Sequence, residues 1–127
     1  MTSNADTVRG IYESFNKGDI EAVLASLHPD IEWWLPESLP FGGSYRGTKE
    51  VGRFFASLPE YFPELKVEPK ELIASGSQVV AVGRHRGRGA KAAFDIPFAM
   101  VWDLRDGKPV RFREYQDTAA TLRAIGA

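Results

Sequence analysis

Two titratable side chains fall, by strand alternation, on faces otherwise made of apolar residues. In the run Val79 to Arg86, Arg84 and Arg86 share one face, and His85 shares the other with Val79, Ala81 and Gly83. In the run Val110 to Gln116, Arg111 and Arg113 mark the solvent side, while Val110, Phe112, Glu114 and Gln116 share the opposite face. A carboxylate among apolar neighbours is costly unless a cation or hydrogen-bond donor compensates it. Glu114 is therefore either paired, or kept with a raised pKa for proton transfer. The bland alternative puts it at the sheet rim, wet or bonded to a neighbouring amide. A lone His85 would read as a structural histidine, but both groups on inner faces favour a site. Tyr12 is the most usable phenol if it points inward; otherwise it packs the first helix.

Other chemistries find little support. Arg84-His85-Arg86-Gly87-Arg88 is basic, but no aromatic stacking motif accompanies it and the net charge is −1, so a solvated hairpin arm is expected rather than a nucleic-acid site. The two histidines, His28 and His85, come without cysteine, which argues against a dedicated metal site, and His28 reads as a loop residue. The glycines from Gly83 to Gly89 lack the Lys and following helix of a phosphate loop. No G-x-S-x-G elbow occurs.

The elements that must position Glu114, His85 and Tyr12 follow from periodicity. Val8, Ile11, Tyr12 and Phe15 recur at helical spacing, as do Ile20, Val23, Leu24 and Leu27, and again Val51, Phe54, Phe55 and Leu58. Ser3 or Asn4 can cap the first helix, Gly18-Asp19 separates it from the second, and Thr48 is expected to cap the third. The second half reads as strands near 65–74, 77–88, 91–104 and 108–117, separated by Ser75-Gly76-Ser77, Gly87-Arg88-Gly89 and Arg105-Asp106-Gly107. Such short connections allow only antiparallel neighbours. A further strand, Ile31 to Leu35, precedes a loop with Pro36, Pro40, Gly42 and Gly43, and a short helix closes the chain from Asp117 or Thr118 to Ile125. The predicted order is α-α-β-α-β-β-β-β-α in one α+β domain spanning residues 1–127: a strongly curved antiparallel sheet with covering helices around an apolar pocket.

Length and composition agree. A chain of 127 residues, 43% hydrophobic and 26% charged, can bury a core on its own. Zero cysteines exclude disulfides and thiol chemistry and fit a reducing compartment. The start, MTSNADTVRG, has no signal-peptide layout, and no run approaches the roughly 18 apolar residues of a membrane span. A cytoplasmic location is expected.

The chain resembles the SnoaL-like branch of the nuclear-transport-factor-2-like superfamily, which includes ketosteroid isomerase relatives and polyketide cyclases. The resemblance rests on the order and spacing of Ile11-Tyr12-Glu13-Ser14-Phe15-Asn16-Lys17-Gly18-Asp19, Tyr45-Arg46-Gly47, Val82-Gly83-Arg84, Pro97-Phe98-Ala99-Met100-Val101-Trp102 and Arg113-Glu114-Tyr115-Gln116-Asp117-Thr118-Ala119. It implies a cone-shaped fold that commonly dimerises through its outer sheet face. Matched residue by residue, the isomerase acids fall at Leu35 and Ala99 and the isomerase phenol near Ile11, so that set is missing. The five epoxide-hydrolase positions appear as His85, Gly83, Glu114, Trp33 and Leu35, which breaks the hydrolase trio. Glu114 stands where SnoaL-type cyclases carry their acidic base.

The resulting expectation is a cofactor-independent acid–base enzyme of cyclase or isomerase type, acting on a hydrophobic carbonyl compound. Glu114 would remove a proton alpha to the carbonyl, and His85 would orient it or donate to the developing oxyanion. Trp33, Leu35, Phe54, Ala99, Val101 and Phe112 would form the apolar wall. The alternatives are a binding protein without turnover and epoxide-hydrolase-like water activation. A buried His85–Glu114 hydrogen bond at the base of an open pocket would favour catalysis; a filled cone with Glu114 at a wet rim would not. The segment Phe94 to Leu104 is apolar on both faces, which predicts a homodimer covering the outer one. Neither nucleic acid nor membrane is an expected partner.

Overall fold

A computed structural model describes residues 2–127. The amphipathic segments become α1 (Asn4–Asn16), α2 (Ile20–Ser26), α3 (Gly47–Tyr61) and α4 (Thr118–Ile125). The strands are β1 (Glu32–Leu35), β2 (Gly43–Arg46), β3 (Glu64–Ser75), β4 (Gln78–Arg88), β5 (Ala93–Arg105) and β6 (Lys108–Gln116). Ser3 caps α1 by accepting from the Asp6 N–H, and Asp19 caps α2 in the same way through the Ala22 N–H. Thr48 caps nothing. Helix α3 starts at Gly47, two residues before a Thr48 cap would start it, and its N-cap Arg46 makes no side-chain cap bond; Glu50 instead reaches back to the Arg46 N–H at 2.6 Å.

The six strands form one sheet in the order β2-β1-β6-β5-β4-β3. Strands β3 to β6 are an antiparallel meander, as their short turns require. Asp106 and Gly107, both at positive φ (51° and 78°), make the two-residue turn from β5 to β6. The sheet is mixed rather than wholly antiparallel, because β1 runs parallel to β6. Its partner lies at the far end of the chain, so no short loop dictates its direction. The Gly-containing stretch after Pro40 is not all loop either: Gly43–Arg46 turns back as β2 and pairs antiparallel with β1.

Curvature has local causes. The β3–β4 register shifts between Pro69 and Glu71, and the β5–β6 register shifts between Asp103 and Leu104, each a bulge that bends its strand. Gly83 lies against the first of these; a Cβ there would come within 2.1 Å of the Glu68 carbonyl oxygen. Only glycine lets β3 and β4 approach so closely. The sheet curls around α1 and α3, whose buried residues Val8, Ile11 and Tyr12, and Val51, Phe54, Phe55 and Leu58, meet its concave face in one hydrophobic cluster. No described helix is long and apolar enough to cross a membrane.

Candidate functional site

The concave face and the helices enclose a cavity of about 80 Å³. Its wall is mostly aromatic and aliphatic, with His85, Glu114, Gln116 and Tyr12 as its polar members. Strand pairing builds it. Glu114 lies across from Met100 and Phe112 from Trp102 on β5, while Trp33 of β1 lies beside Phe112. The parallel pairing puts the Trp33 and Phe112 rings face to face, 3.8 Å between centroids. Trp102 meets both edge-on, at 5.8 and 4.7 Å.

Glu114 is 6% exposed, and no ion pair among the described residues includes it. Arg113, its neighbour on the strand, turns to the other face and lies 3.8 Å from Asp103. Burial pushes the Glu114 carboxyl from 4.5 up to about 7, against a hydrogen bond from Gln116 that lowers it. That bond runs from Gln116 Nε2 to Glu114 Oε2. The carboxylate is thus bonded to a neighbouring amide, as the bland alternative allowed, but it is buried in the cavity wall and not at a wet rim.

His85, also 6% exposed, packs between Phe94 and Phe98 at 5.8 and 5.9 Å between ring centroids. Burial holds its pKa down to about 4; Asp95 opposes that and Arg84 adds to it. At neutral pH it is an uncharged imidazole. It forms no hydrogen bond with Glu114, so the two line one cavity as separate groups. Tyr12 does point inward. Its hydroxyl accepts from Trp102 Nε1 at 3.0 Å and has only the Met100 thioether, at 2.9 Å, as acceptor. Burial first, and the Glu114 charge last, raise its pKa far above that of a free phenol, while the Trp102 bond works against them. Trp33 Nε1 is buried with no partner among the described residues.

Of the expected wall, Trp33, Leu35, Phe54 and Phe112 line the cavity. Ala99 and Val101 do not. Pairing sets Ala99 beside Tyr115 and Val101 beside Arg113, both on the convex face, and parity puts Phe98, Met100 and Trp102 inside. The family position that falls at Ala99 therefore lies one residue from the inner row of β5. The same parity, counted from Glu114 across the β5–β6 register, would have found Met100 and Trp102. Gln116 shares the Glu114 face and was visible there, without a role. Phe41 carried no periodic signal.

Two of the three arginines of the basic run meet carboxylates where they stand. Arg84 Nε meets Asp95 Oδ1 at 2.6 Å, and Arg86 Nε meets Glu68 Oε1 at 2.6 Å. His28 sits in a turn, its Nδ1 accepting from the Asp30 N–H at 3.0 Å.

Known proteins with this arrangement agree. A SnoaL-like domain profile matches residues 8–112. The chain belongs to the SnoaL-like family. It superposes on an NTF2-like protein of unknown function from Burkholderia pseudomallei with a TM-score of 0.94, at 34% identity and with 100% of both chains covered. TerC co-crystallized with polyporic acid aligns with a TM-score of 0.91, at 30% identity over 98% of each chain. An uncharacterized protein of Mycobacterium tuberculosis is 29% identical over 126 residues, which covers 95% of this chain and 96% of that one. The four helices and open, curved sheet are those of the NTF2-like cone. Across so varied a superfamily the fold identifies a ligand cavity, and the chemistry must be argued from the side chains in it.

Proposed function

We propose that this SnoaL-like domain is a cofactor-independent acid–base catalyst of the cyclase or isomerase kind, acting on a hydrophobic carbonyl compound. The observation that carries the reading is Glu114: a buried carboxyl in an apolar cavity, without a cation, with a pKa near 7. A base is most effective when its pKa lies close to the working pH. Glu114 removes a proton alpha to the carbonyl, and the charge that develops on the oxygen needs donors. The Tyr12 hydroxyl, whose one acceptor is a thioether, and the unpartnered Trp33 Nε1 are the donors in the wall that lack strong acceptors. Neutral His85 contributes an uncharged polar edge. TerC, at 30% identity, was co-crystallized with polyporic acid, which supports a small organic ligand for this cavity too.

The cavity of about 80 Å³ is small beside the roughly 300–1,000 Å³ of ligand pockets in general, so admission requires the aromatic wall to part. Phe41, from the loop between β1 and β2, and Phe62, just after α3, pack edge-on at 5.5 Å and are the side chains placed to do so. Among the described residues His85 and Glu114 share no hydrogen bond, which favours a second reading, binding without turnover. Mass-spectrometric hydrogen–deuterium exchange on a panel of apolar 1,3-dicarbonyl compounds in heavy water separates the two. Catalysis predicts accelerated exchange at the carbon between the carbonyls, abolished in Glu114→Gln. Binding without accelerated exchange would overturn the catalytic reading and leave the binding one.

We also propose that a second copy of the chain covers the convex sheet face. There Ala99 and Val101 are only half buried, Tyr115 is 45% exposed, and Arg113 Nε lacks a partner. Light scattering at micromolar concentration should give a dimer mass; a monomer would remove this assembly.

A further inference from the structure

Glu114 does not stand alone on its strand end. Gln116, two residues on, shares its face, and the chain then turns directly into α4, with Asp117 as the cap that accepts from the Ala120 N–H at 3.0 Å. That cap fixes the first turn of α4 over the end of β6 and brings Thr121, 1% exposed, back above Gln116. Thr121 Oγ1 donates to Gln116 Oε1, and its other neighbour, the Asp117 carbonyl, is at the longer distance of 3.2 Å. Gln116 Nε2 in turn donates to Glu114 Oε2. An amide has one acceptor end and one donor end, so a hydroxyl that donates to the first aims the second.

We infer that Gln116 and Thr121 are positioning residues for Glu114: the Thr121 hydroxyl orients the Gln116 amide, which holds Glu114 Oε2 and leaves Oε1 as the oxygen presented to the cavity. The inference rests on the proposal that Glu114 is the base, and deepens it. One oxygen tethered and the other unbonded is the arrangement that proton abstraction in a fixed direction requires. The tether also favours the charged carboxylate over the neutral acid, so it works against the burial that raises the Glu114 pKa. The other titratable groups facing the cavity near Glu114 are Tyr12 from α1 and His85 from β4. On β5 and β6 the nearest charges, Asp103 and Arg113, lie on the convex face, and Arg123 of α4 is exposed.

The test is the titration of Glu114 in the whole protein, read from the infrared carbonyl band of its protonated carboxyl and assigned by the loss of that band in Glu114→Gln. Gln116→Met keeps the length of the side chain and removes the donor; the Glu114 midpoint should rise by about one unit or more. Thr121→Val, nearly isosteric, should move it the same way by less, and Thr121→Ser, which keeps the hydroxyl, should restore the wild-type midpoint. Circular-dichroism melts report whether each variant is folded, and Gln116→Met with Thr121→Ser carries the test if Thr121→Val is not. An unmoved midpoint in Gln116→Met, or a Thr121→Ser midpoint displaced upward by as much as that of Gln116→Met, would overturn the inference. These midpoints need no substrate. A failure of the tether is therefore distinct from a failure of the catalytic reading, which appears as absent deuterium exchange in a wild type whose Glu114 titrates as described.

Discussion

The two faces of β4 treat charge in opposite ways. On the convex side, Arg84 and Arg86 each find a carboxylate on a neighbouring strand at 2.6 Å, in water, where such pairs are cheap to form and cheap to lose. On the concave side, His85 sits between two phenylalanine rings, and the Glu114 carboxyl lies in the same cavity with an amide and no cation. The outer groups keep the charges that solvent and their partners support. The inner ones are driven toward their neutral forms, His85 to a pKa of about 4 and Glu114 to about 7. A fold selected for stability alone would replace such groups with apolar ones, so an inner pair without a cation supports the catalytic reading proposed above.

The contrast is broken hardest by removing the inner carboxyl. Glu114→Gln preserves shape and should lower turnover by at least about 100-fold, the lower end of what a general base contributes. Stability should move the other way. A folded-state pKa raised above the unfolded value means that the native protein holds a proton the unfolded chain has released. The contribution of Glu114 is therefore intact below pH 4.5 and lost as the pH rises to about 7, by about 3 kcal/mol in all. Glu114→Gln removes that loss, so its melting temperature should exceed that of the wild type at pH 8 and gain least at pH 4. A large loss of stability with activity intact would make Glu114 a structural partner instead.

His85 has the opposite slope in nearly the same window. Its folded pKa is depressed, so its contribution is intact above pH 6.5 and lost as the pH falls toward about 4. In the wild type the two inner groups offset one another between about pH 4.5 and 6.5. His85→Phe, which keeps an aromatic ring between Phe94 and Phe98, should expose the Glu114 slope, with stability falling as the pH rises. Glu114→Gln should expose the His85 slope, with stability rising. Urea melts at half-unit pH steps check this, and identical slopes in the two variants would refute the assignment.

How much of this was readable from the chain depends on what each signal measures. Period-3.6 and period-2 patterns report which side of an element is dry, so the helices, the meander and the inward faces of His85 and Glu114 were legible. Parity along one strand cannot say which of two apolar rows is inner. That is how Ala99 and Val101 came to be expected in the wall, where Met100 and Trp102 stand. Long-range pairing left no local mark, so the parallel contact of β1 with β6 was invisible, and with it the Trp33–Phe112 stack. The Gln116–Thr121 tether depends on the angle at which α4 leaves β6, which the Asp117 cap announces but does not specify.

The smallest effect belongs to the convex face and calibrates the others. Arg86 is 56% exposed in its side chain and Glu68 is 32% exposed, so water screens their 2.6 Å contact on both sides. Two long side chains must also be ordered to hold it, which offsets most of the remaining attraction. Arg86→Ala should therefore cost less than about 1 kcal/mol, an effect that shrinks further in high salt. It should leave the Glu114 titration where it is, because Arg86 projects away from the cavity and no described contact links the two. Melts of Arg86→Ala at low and high salt, beside the infrared titration of Glu114, measure both quantities. A shift of the Glu114 midpoint comparable to that of Gln116→Met would mean that the convex charges reach through the sheet as far as Glu114, and not only to His85, on which Asp95 and Arg84 act from their own and the neighbouring strand.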